Sequence, residues 1–453
     1  MKIWTSLRTI DHSVREEVAW CLFVALLVSL AFLQPRVALI PGERANLFSG
    51  LLCAVTLVVV LVLGNTERLS TQKPGIIISI VLATLIILSC FFSLSPRISV
   101  ARGFVILTSA LGGFWCSRIL LSTAERQKTF QWICASILAV LLLLGTVSWI
   151  SFGNIYHLVD VHWHPMTSRI LLLSFAPLAL MASSSRAARV LGSFLLLASC
   201  LVLLMGRQTS GMESAVVIPV TMLILAVCFL KWRRSLMVPV LVGLFLVSMW
   251  AGNYYPHHTD KKFMSMSYRT ENIFFSWEIA KTFPILGIGL WAPRDVVLDN
   301  YQIHYPSLSK ETFVQWTHWI RTSENNFLTF MADLGIPFTL LYVGVLLVLW
   351  LRLLRLVCTQ PRGAPLPPLA LLLPITGILL QLQILDGLFH PQISWLFHVL
   401  LGMIPRPDAS SKLCSTAVKR AVYKGVVLVG VSVLGILMGL WLSGRVPFRS
   451  LIP

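Results

Sequence analysis

Residues 75–94 read GIIISIVLATLIILSCFFSL, a run of twenty positions without a charged side chain. A helix of this length extends about 30 Å, which is the thickness of the hydrocarbon core of a lipid bilayer. The run is continuously apolar and does not alternate, and an open sheet would leave backbone groups unsatisfied in lipid. This stretch therefore predicts a transmembrane helix.

Similar apolar segments recur along the chain, and two of them, 168–182 and 391–404, are short. Hydrophobic residues make up 57% of the sequence and charged residues 12%, and the mean hydropathy is +0.82. Soluble domains carry about 25% charged residues. We therefore expect an all-α polytopic membrane protein with twelve or thirteen transmembrane helices. The predicted spans are 17–33, 47–64, 75–94, 99–117, 130–150, 168–182, 190–205, 214–230, 235–251, 327–351, 366–385, 391–404 and 425–443.

Basic residues are distributed unevenly between the predicted connections. With the N-terminus in the cytoplasm, 21 of the 36 lysines and arginines fall on cytoplasmic connections, whereas connection 252–325 carries seven basic and seven acidic residues. An excess of Lys and Arg on the cytoplasmic side orients membrane proteins. The pattern predicts a multi-pass inner-membrane protein with this long connection on the outer side, which is the periplasm if the cell is Gram-negative. It argues against nucleic-acid binding, because the net charge of +18 follows the membrane orientation.

The predicted organisation is one folding unit with three regions. Residues 1–251 hold the N-terminal transmembrane helices, 252–325 form the periplasmic loop, and 326–453 hold the C-terminal transmembrane helices. Within the loop, apolar residues recur at helical spacing over 269–283, and Pro284 ends the predicted helix. The loop is therefore expected to be partly helical, with an amphipathic lid at the membrane surface.

Aromatic side chains are frequent in the same loop. Aromatic faces pack on sugar rings, so the loop suits a glycan-binding surface. The alternative is an interfacial aromatic belt, in which the rings lie at the level of the lipid headgroups. The candidate glycan-binding residues are Trp277, Trp291, Trp316 and Trp319.

Ionisable groups inside membrane spans are energetically costly and therefore point to function. Arg207 lies between two apolar segments in LLMGRQTSG (203–211), Arg269 opens the predicted lid helix, and Arg169 begins a short span. A planar guanidinium suits a phosphate or diphosphate, and we predict this role for all three. The alternatives are a snorkelling side chain for Arg207 and a surface ion pair for Arg269. Arg102 is interpreted as an interfacial anchor.

Three acidic residues lie at or inside predicted spans, namely Glu324, Asp333 and Asp386. A carboxylate at the membrane boundary can act as a general base toward a hydroxyl, and the alternative for Asp386 is a residue of a helix-terminal turn. Asp333 is expected to face the protein interior. The histidines and cysteines lack metal-ligand spacing, and no phosphate-binding loop motif occurs. We therefore expect no metal, no cofactor and no nucleotide.

From Arg269 to Gly335 the sequence resembles the O-antigen ligase and polymerase superfamily. Its members carry a late, long periplasmic loop that begins with an arginine, an aromatic-rich helix and a Pro-x-x-Gly-x-Gly element. The loop ends with His-Asn, nine residues and a glycine, and an earlier arginine lies in a turn between two spans. The matching residues of this chain are Arg207, Arg269, Trp277, PILGIG at 284–289, Glu324-Asn325 and Gly335.

The resemblance implies glycosyl transfer at the periplasmic face from an undecaprenyl-diphosphate-linked glycan, without metal ions or ATP. The implied acceptor is lipid A–core sugar in a ligase, or a growing glycan in a polymerase, and the implied roles are lipopolysaccharide or exopolysaccharide synthesis. The chain departs from the family pattern at two positions. Glu324 stands where the family has the histidine that is taken to activate the acceptor, and Phe338 replaces the second glycine.

Three hypotheses on the identity of the general base remain open. Glu324 is the base, His318 reaches the site from six residues earlier, or the acceptor chemistry differs. The candidate catalytic residues are Glu324, His318 and Asp386. Two other classes of function are also open. A lipid-linked glycan flippase or secondary transporter would carry inverted repeats, and none is evident by eye; a non-catalytic assembly subunit would have no use for arginines in the membrane.

Overall fold

The computed structural model of the protein describes residues 12–32, 42–64, 72–156, 158, 163–210, 276–292, 325–359, 368–382 and 387–405. Every regular element in these ranges is helical, and none of these residues lies in a strand. The fold class is therefore all-α, as predicted. The helices are α1 (His12–Phe32), α2 (Gly42–Leu63), α3 (Lys73–Phe91), α4 (Pro96–Leu120), α5 (Ala124–Phe152), α6 (Trp163–Leu173), α7 (Phe175–Met181), α8 (Arg186–Ser210), α9 (Asn326–Leu334), α10 (Ile336–Thr359), α11 (Pro368–Gln381) and α12 (Pro391–Gly402), with a 3-10 turn at Gly387–Phe389 and helical residues at 276–282.

Within the described residues, six helices are long and apolar enough to cross a membrane. Their apolar portions are Asn46–Leu63, Lys73–Phe91, Pro96–Leu120, Ala124–Phe152, Arg186–Leu203 and Ile336–Val357. Two shorter apolar helical stretches are Met166–Met181 and Pro368–Gln381. The predicted spans 214–230, 235–251 and 425–443 lie outside the described residues. The six long apolar helices identify the chain as a polytopic membrane protein.

Local sequence signals set the helix ends. The side chain of Thr123 accepts a hydrogen bond from the N–H of Arg126 at the start of α5, and Gly153 ends that helix in the left-handed region. At the start of α9, the Asn325 side chain accepts hydrogen bonds from the N–H groups of Phe327 and Leu328, both over 3.1 Å. These are the capping residues that helix termini prefer, because they satisfy backbone groups left without helical partners.

Helices α6 and α7 lie at the centre of the bundle. Every side chain from Met166 to Leu180 is buried, and α6 contacts α5, α8, α11 and α12. In contrast, only 17% of the α3 span is buried, which leaves most of its apolar surface for lipid. The central position of α6 places the residues at its start next to the ends of several other helices.

Helices α4 and α12 run parallel and in close contact. The hydroxyl of Ser109 donates to the hydroxyl oxygen of Ser394 over 3.1 Å, and further along both helices Nη1 of Arg118 donates to the carbonyl of Ile404 over 2.8 Å. A Cβ added at Gly113 would lie 2.4 Å from the carbonyl oxygen of Trp395. Small residues of this kind let membrane helices approach closely.

The bundle has two chemically different ends. The basic end is defined by Arg118, Arg126 and Arg352; Arg126 lies 2.8 Å from a carboxylate oxygen of Glu17. The loop end is defined by residues 92–95, 153–156 and 283–292, together with Leu382 and His390. The described part of the long loop and these basic residues therefore lie at opposite ends of the bundle, in agreement with the uneven charge distribution of the sequence.

The predicted single span 327–351 is wrong in one respect, because Gly335 divides it into α9 and α10. Gly335 has φ 87°, and a Cβ there would lie 2.1 Å from the carbonyl oxygen of Ile285. The helix breaks because the loop turn at 283–292 packs directly on this glycine. Asp333, expected to face the interior, is fully buried near the end of the short helix α9.

Candidate functional site

The turn at 283–292 is hydrogen-bonded to the end of α9. The N–H of Ile288 donates to the carbonyl of Ala332 over 3.0 Å, and the N–H of Gly289 donates to the carbonyl of Asp333 over 2.9 Å. The N–H of Ile336 returns a hydrogen bond to the carbonyl of Pro284 over 2.8 Å. The two halves of the motif resemblance, the Pro-x-x-Gly-x-Gly element and the segment before Gly335, therefore form one structural unit.

The same turn also contacts the corner between α3 and α4. The N–H of Leu94 and the hydroxyl of Ser93 both donate to the carbonyl of Ile288, each over 3.0 Å. Gly289 has φ 94°, and a Cβ there would lie 1.9 Å from Oγ of Ser93. Only glycine fits this position, both for its backbone conformation and for the space available.

The start of α9 forms a junction with the segment between α11 and α12. The backbone N–H of Asn326 donates to the carbonyl of Leu382 over 2.8 Å, and Oδ1 of Asn326 accepts from the N–H of Leu388 over 3.2 Å. Asn326 is 0% exposed. Its Nδ2 is buried without a hydrogen-bond partner among the described residues. This junction flanks the two candidate acids in sequence, because Glu324 precedes Asn325 and Asp386 precedes Gly387.

The sequence interpretation missed Asn326. An asparagine beside the capping Asn325 looks like an ordinary helix-start residue, and nothing in its spacing predicts burial. The signal that could have found it is its polarity at the first position of an otherwise apolar span, where an amide is costly unless it is hydrogen-bonded.

Helix α6 reaches the same junction through Ser168. Its hydroxyl donates to Oε1 of Gln381 over 3.0 Å, next to Leu382. The neighbouring Arg169 is 1% exposed, and its Nη1 donates to the carbonyl of Ala31 in the last turn of α1. An arginine at a helix C-terminus satisfies backbone carbonyls that lack helical partners. In this structure Arg169 therefore joins α1 to α6 inside the bundle and has almost no surface for a diphosphate.

Arg207 lies in the last turn of α8, and the structure describes its backbone and not its side chain. The preceding part of α8 is close to the start of α6, because a Cβ added at Gly145 would lie 2.6 Å from Cε of Met166 and 3.2 Å from Cγ1 of Val202. The helix rises about 1.5 Å per residue, so the backbone of Arg207 lies roughly 7–8 Å beyond Val202 along its axis. The end of α8 thus belongs to the loop end of the bundle.

The two described tryptophans of the loop lie in different surroundings. Trp277 is 39% exposed, with Nζ of Lys281 5.9 Å from its ring centre, while Ser276, Ile279 and Ala280 form the buried side of the helical residues 276–282. Trp277 therefore lies on the exposed side of this helix. Trp291 is partly buried, and the guanidinium carbon of Arg102 lies 3.7 Å from its ring centre. Arg102 is 8% exposed, so the interpretation of it as an interfacial anchor is wrong.

Residues 170–343 match the family described as O-antigen ligase. Over this part of the chain, the match supports the resemblance to the O-antigen ligase and polymerase superfamily that the sequence motifs indicate. The match covers α6 from its middle onwards, α7 to α9 and the first part of α10, and it includes both halves of the docked unit at 283–292 and 325–335. None of the curated proteins matches the chain.

Phe338, which stands where the family pattern has a second glycine, lies in a cluster of aromatic side chains. Phe338 is buried and forms an edge-to-face contact with Phe330, with ring centres 5.6 Å apart, and it stacks on Tyr342 at 5.9 Å. Phe330 in turn contacts Phe389, whose ring centre is 5.4 Å away. A cluster of four aromatic rings thus fills the space beside the position where the family pattern has a glycine.

Several of the predicted site residues lie outside the described residues, and their roles stay predictions. Among the described residues, no three His, Cys, Asp or Glu side chains lie close enough together to hold a metal ion. The structure brings together the start of α6, the end of α11, the 387–390 turn and the start of α9. The candidates outside the described residues are Arg269, His318, Glu324, Asp386, Trp316 and Trp319.

Proposed function

We propose that the protein transfers a glycan from undecaprenyl diphosphate to a sugar acceptor at the loop end of the bundle. The observation that carries this proposal is the junction of Asn326 with Leu382 and Leu388, inside a region that matches the O-antigen ligase family. The junction gathers the chain neighbours of both candidate acids, Glu324 and Asp386, at one end of the bundle. Such an arrangement suits a reaction at a membrane surface.

In the proposed reaction the acceptor hydroxyl loses its proton to Glu324 as its oxygen attacks the anomeric carbon of the donor. The bond between that carbon and the phosphate oxygen breaks, and undecaprenyl diphosphate leaves with the bonding electron pair. A general base of this kind contributes about 10²–10⁴-fold to the rate. His318 is the alternative base, and Asp386 is the second acid close to the junction in sequence.

Arg207 and Arg269 are assigned to the leaving diphosphate. Negative charge develops on the phosphate oxygens as the glycosidic bond breaks, and guanidinium groups placed there stabilise the transition state more than the ground state. Arg169 is given a supporting role instead, because its contact with Ala31 and its burial tie it to helix packing. The reaction draws its driving force from cleavage of the bond between the donor sugar and its diphosphate, and in this proposal it requires neither ATP nor a metal ion.

The active face is assigned to the periplasm of the bacterial inner membrane. Arg118, Arg126 and Arg352 mark the opposite end of the bundle, and an excess of such residues on one side is the signature of the cytoplasmic face. Lipid-linked glycan would reach the loop end from the outer leaflet. Trp277 is exposed there and offers a ring face to a sugar, and Trp316 and Trp319 are assigned the same role.

Deletion of the gene, followed by gel analysis of lipopolysaccharide, tests the proposed function. A ligase deletion leaves intact core without long chains while lipid-linked polymer accumulates. A polymerase deletion leaves core that carries a single repeat. A glycan profile identical to that of the parent strain, for both lipopolysaccharide and secreted polysaccharide, would contradict the proposal.

A further inference from the structure

Arg102 lies in the second turn of α4 and is nearly buried, at 8% exposure. Its guanidinium carbon lies 3.7 Å from the centre of the Trp291 ring. A cation over an indole face is attracted by the ring quadrupole, and this attraction grows where water is excluded. An arginine in a membrane protein is retained at such a position only when specific partners stabilise it. The Trp291 ring is one such partner, and it comes from the loop and not from a neighbouring helix.

The backbone of Trp291 is also in an unusual conformation. Its φ is 59°, and it is the one non-glycine residue with a positive φ in the part of the chain that the structure describes. Such a conformation is strained for an L-residue with a large side chain and persists only where the surroundings hold it. The N–H of Trp291 donates to Oδ2 of Asp333 over 3.1 Å. Trp291 is therefore held from two sides, by a cation on its ring and by a carboxylate on its backbone.

These contacts connect α4 to α9. Asp333 is fully buried in α9, and its carbonyl oxygen accepts hydrogen bonds from the N–H of Gly289 and from the hydroxyl of Ser89 in α3, both over 2.9 Å. On the other side of the turn, the hydroxyl of Ser99 in α4 donates to the carbonyl of Leu290 over 2.9 Å. The turn is thus fastened between the two helices immediately next to Trp291.

We propose that Arg102 is a positioning residue of the transfer reaction. By stacking on Trp291 it docks the turn at 283–292 against α9, and it thereby sets the position of the start of α9 at the Asn326 junction. The kinetic consequence rests on the proposed function, whereas the docking does not. The contact also gives Trp291 a role other than a sugar platform, because Arg102 covers one face of its ring.

A cross-linking experiment tests the docking without reference to activity. Cysteines replace Leu94 and Ile288, whose backbone N and O atoms are 3.0 Å apart, and the native cysteines are kept. After mild oxidation in membranes, denatured protein is labelled with maleimide–polyethylene glycol, and the loss of two labels relative to the reduced sample reports the cross-link. The cross-link should form in the parent chain and in Arg97→Met, the matched control at an exposed arginine of the same helix. It should be lost in Arg102→Met.

The kinetic test uses full-length protein in membranes with a lipid-linked glycan donor. Arg102→Met should lower kcat by about ten- to hundredfold at unchanged protein abundance, because a displacement near 1 Å at a reacting centre has effects of that size. Arg102→Lys and Trp291→Phe keep a cation and a ring, and both should retain most of the turnover and of the cross-link. Should Arg102→Met fail to accumulate, Trp291→Leu removes the same stack from the side of the loop.

Two outcomes overturn the proposal. Arg102→Met with both cross-link and kcat at the parent level would show that the stack does not dock the turn. A lost cross-link with an unchanged kcat would show that docking does not position the reacting groups. An absence of transfer by the parent chain refutes the proposed function and the kinetic role with it, and the cross-linking result then still decides the docking by itself.

Discussion

The backbone N–H of Asn326 donates to the carbonyl oxygen of Leu382 over 2.8 Å. Asn326 begins α9 and Leu382 directly follows α11, so the contact connects the end of the long loop with the gap between α11 and α12. The Asn326 side chain adds a second connection to Leu388 on the far side of that gap. The junction is therefore held through both the backbone and the side chain of one residue.

Asn326→Leu should destabilise this junction. The substitution leaves the N–H of Leu388 buried without its acceptor, which costs about 1–3 kcal/mol for a backbone group. Thermal unfolding of detergent-solubilised protein should therefore shift to lower temperature, and turnover should fall as the junction loosens. Asn46→Leu, at a partly exposed position of α2, is the matched control and should unfold like the parent. Equal unfolding temperatures for both variants would show that the Leu388 contact contributes little.

Much of the fold follows from hydropathy, because each span must be apolar over about 20 residues to cross the lipid. The predicted segments 75–94 and 130–150 correspond to α3 and α5, with ends that differ by two to six residues. Hydropathy did not predict the break at Gly335, since Leu334 and Ile336 are both apolar; the local signal is Gly335 followed by Pro337, and the structural cause is a distant contact with Ile285. Hydropathy reports the cost of placing a residue in lipid and carries no information on which other segment packs against it.

The candidate site was predictable to a smaller extent. The motif resemblance included both the PILGIG element and Gly335, and the structure shows in addition that these segments are in contact. It did not predict the burial of Arg102, because an arginine near a helix start has the same sequence appearance whether it reaches the headgroups or stacks on an indole. Asn326 was missed for a similar reason, since its role at the junction depends on hydrogen bonds to a segment more than fifty positions away.

Arg207→Ala and Arg269→Ala should each abolish most of the transfer while the protein still inserts normally. Removing one group that stabilises developing negative charge typically lowers kcat by about 10²–10³-fold. Turnover of lipid-linked donor in membranes is the measurement, with protein abundance determined on the same samples. Arg186→Ala is the matched control, because this exposed arginine lies at the opposite end of α8 from Arg207. Parent-level turnover in both alanine variants would remove the arginines from the mechanism.

Glu324→Gln should lower kcat by about 10²-fold or more, because the amide cannot accept the acceptor proton. Glu324→His should retain measurable transfer, since the related family carries a histidine at this position. The glutamine variant keeps the size of the side chain and removes the base, whereas the histidine variant keeps a base and changes the size. The quantity to compare is kcat with a saturating acceptor. Full activity of Glu324→Gln would assign the base elsewhere, and His318→Ala is then the variant that tests the alternative.

Gly335→Ala should prevent the turn at 283–292 from docking. A Cβ at this position would lie 2.1 Å from the carbonyl oxygen of Ile285, and φ 87° is itself unfavourable for alanine by about 1–3 kcal/mol. Both effects act in the same direction, so the variant should unfold at lower temperature and lose transfer together with the docked turn. Gly344→Ala is the matched control within α10, where an added Cβ meets no atom within 4 Å. A helical alanine there should leave stability unchanged or raise it by about 0.5–1 kcal/mol. Equal losses in both variants would mean that the effect comes from α10 as a helix and not from the contact between Gly335 and Ile285.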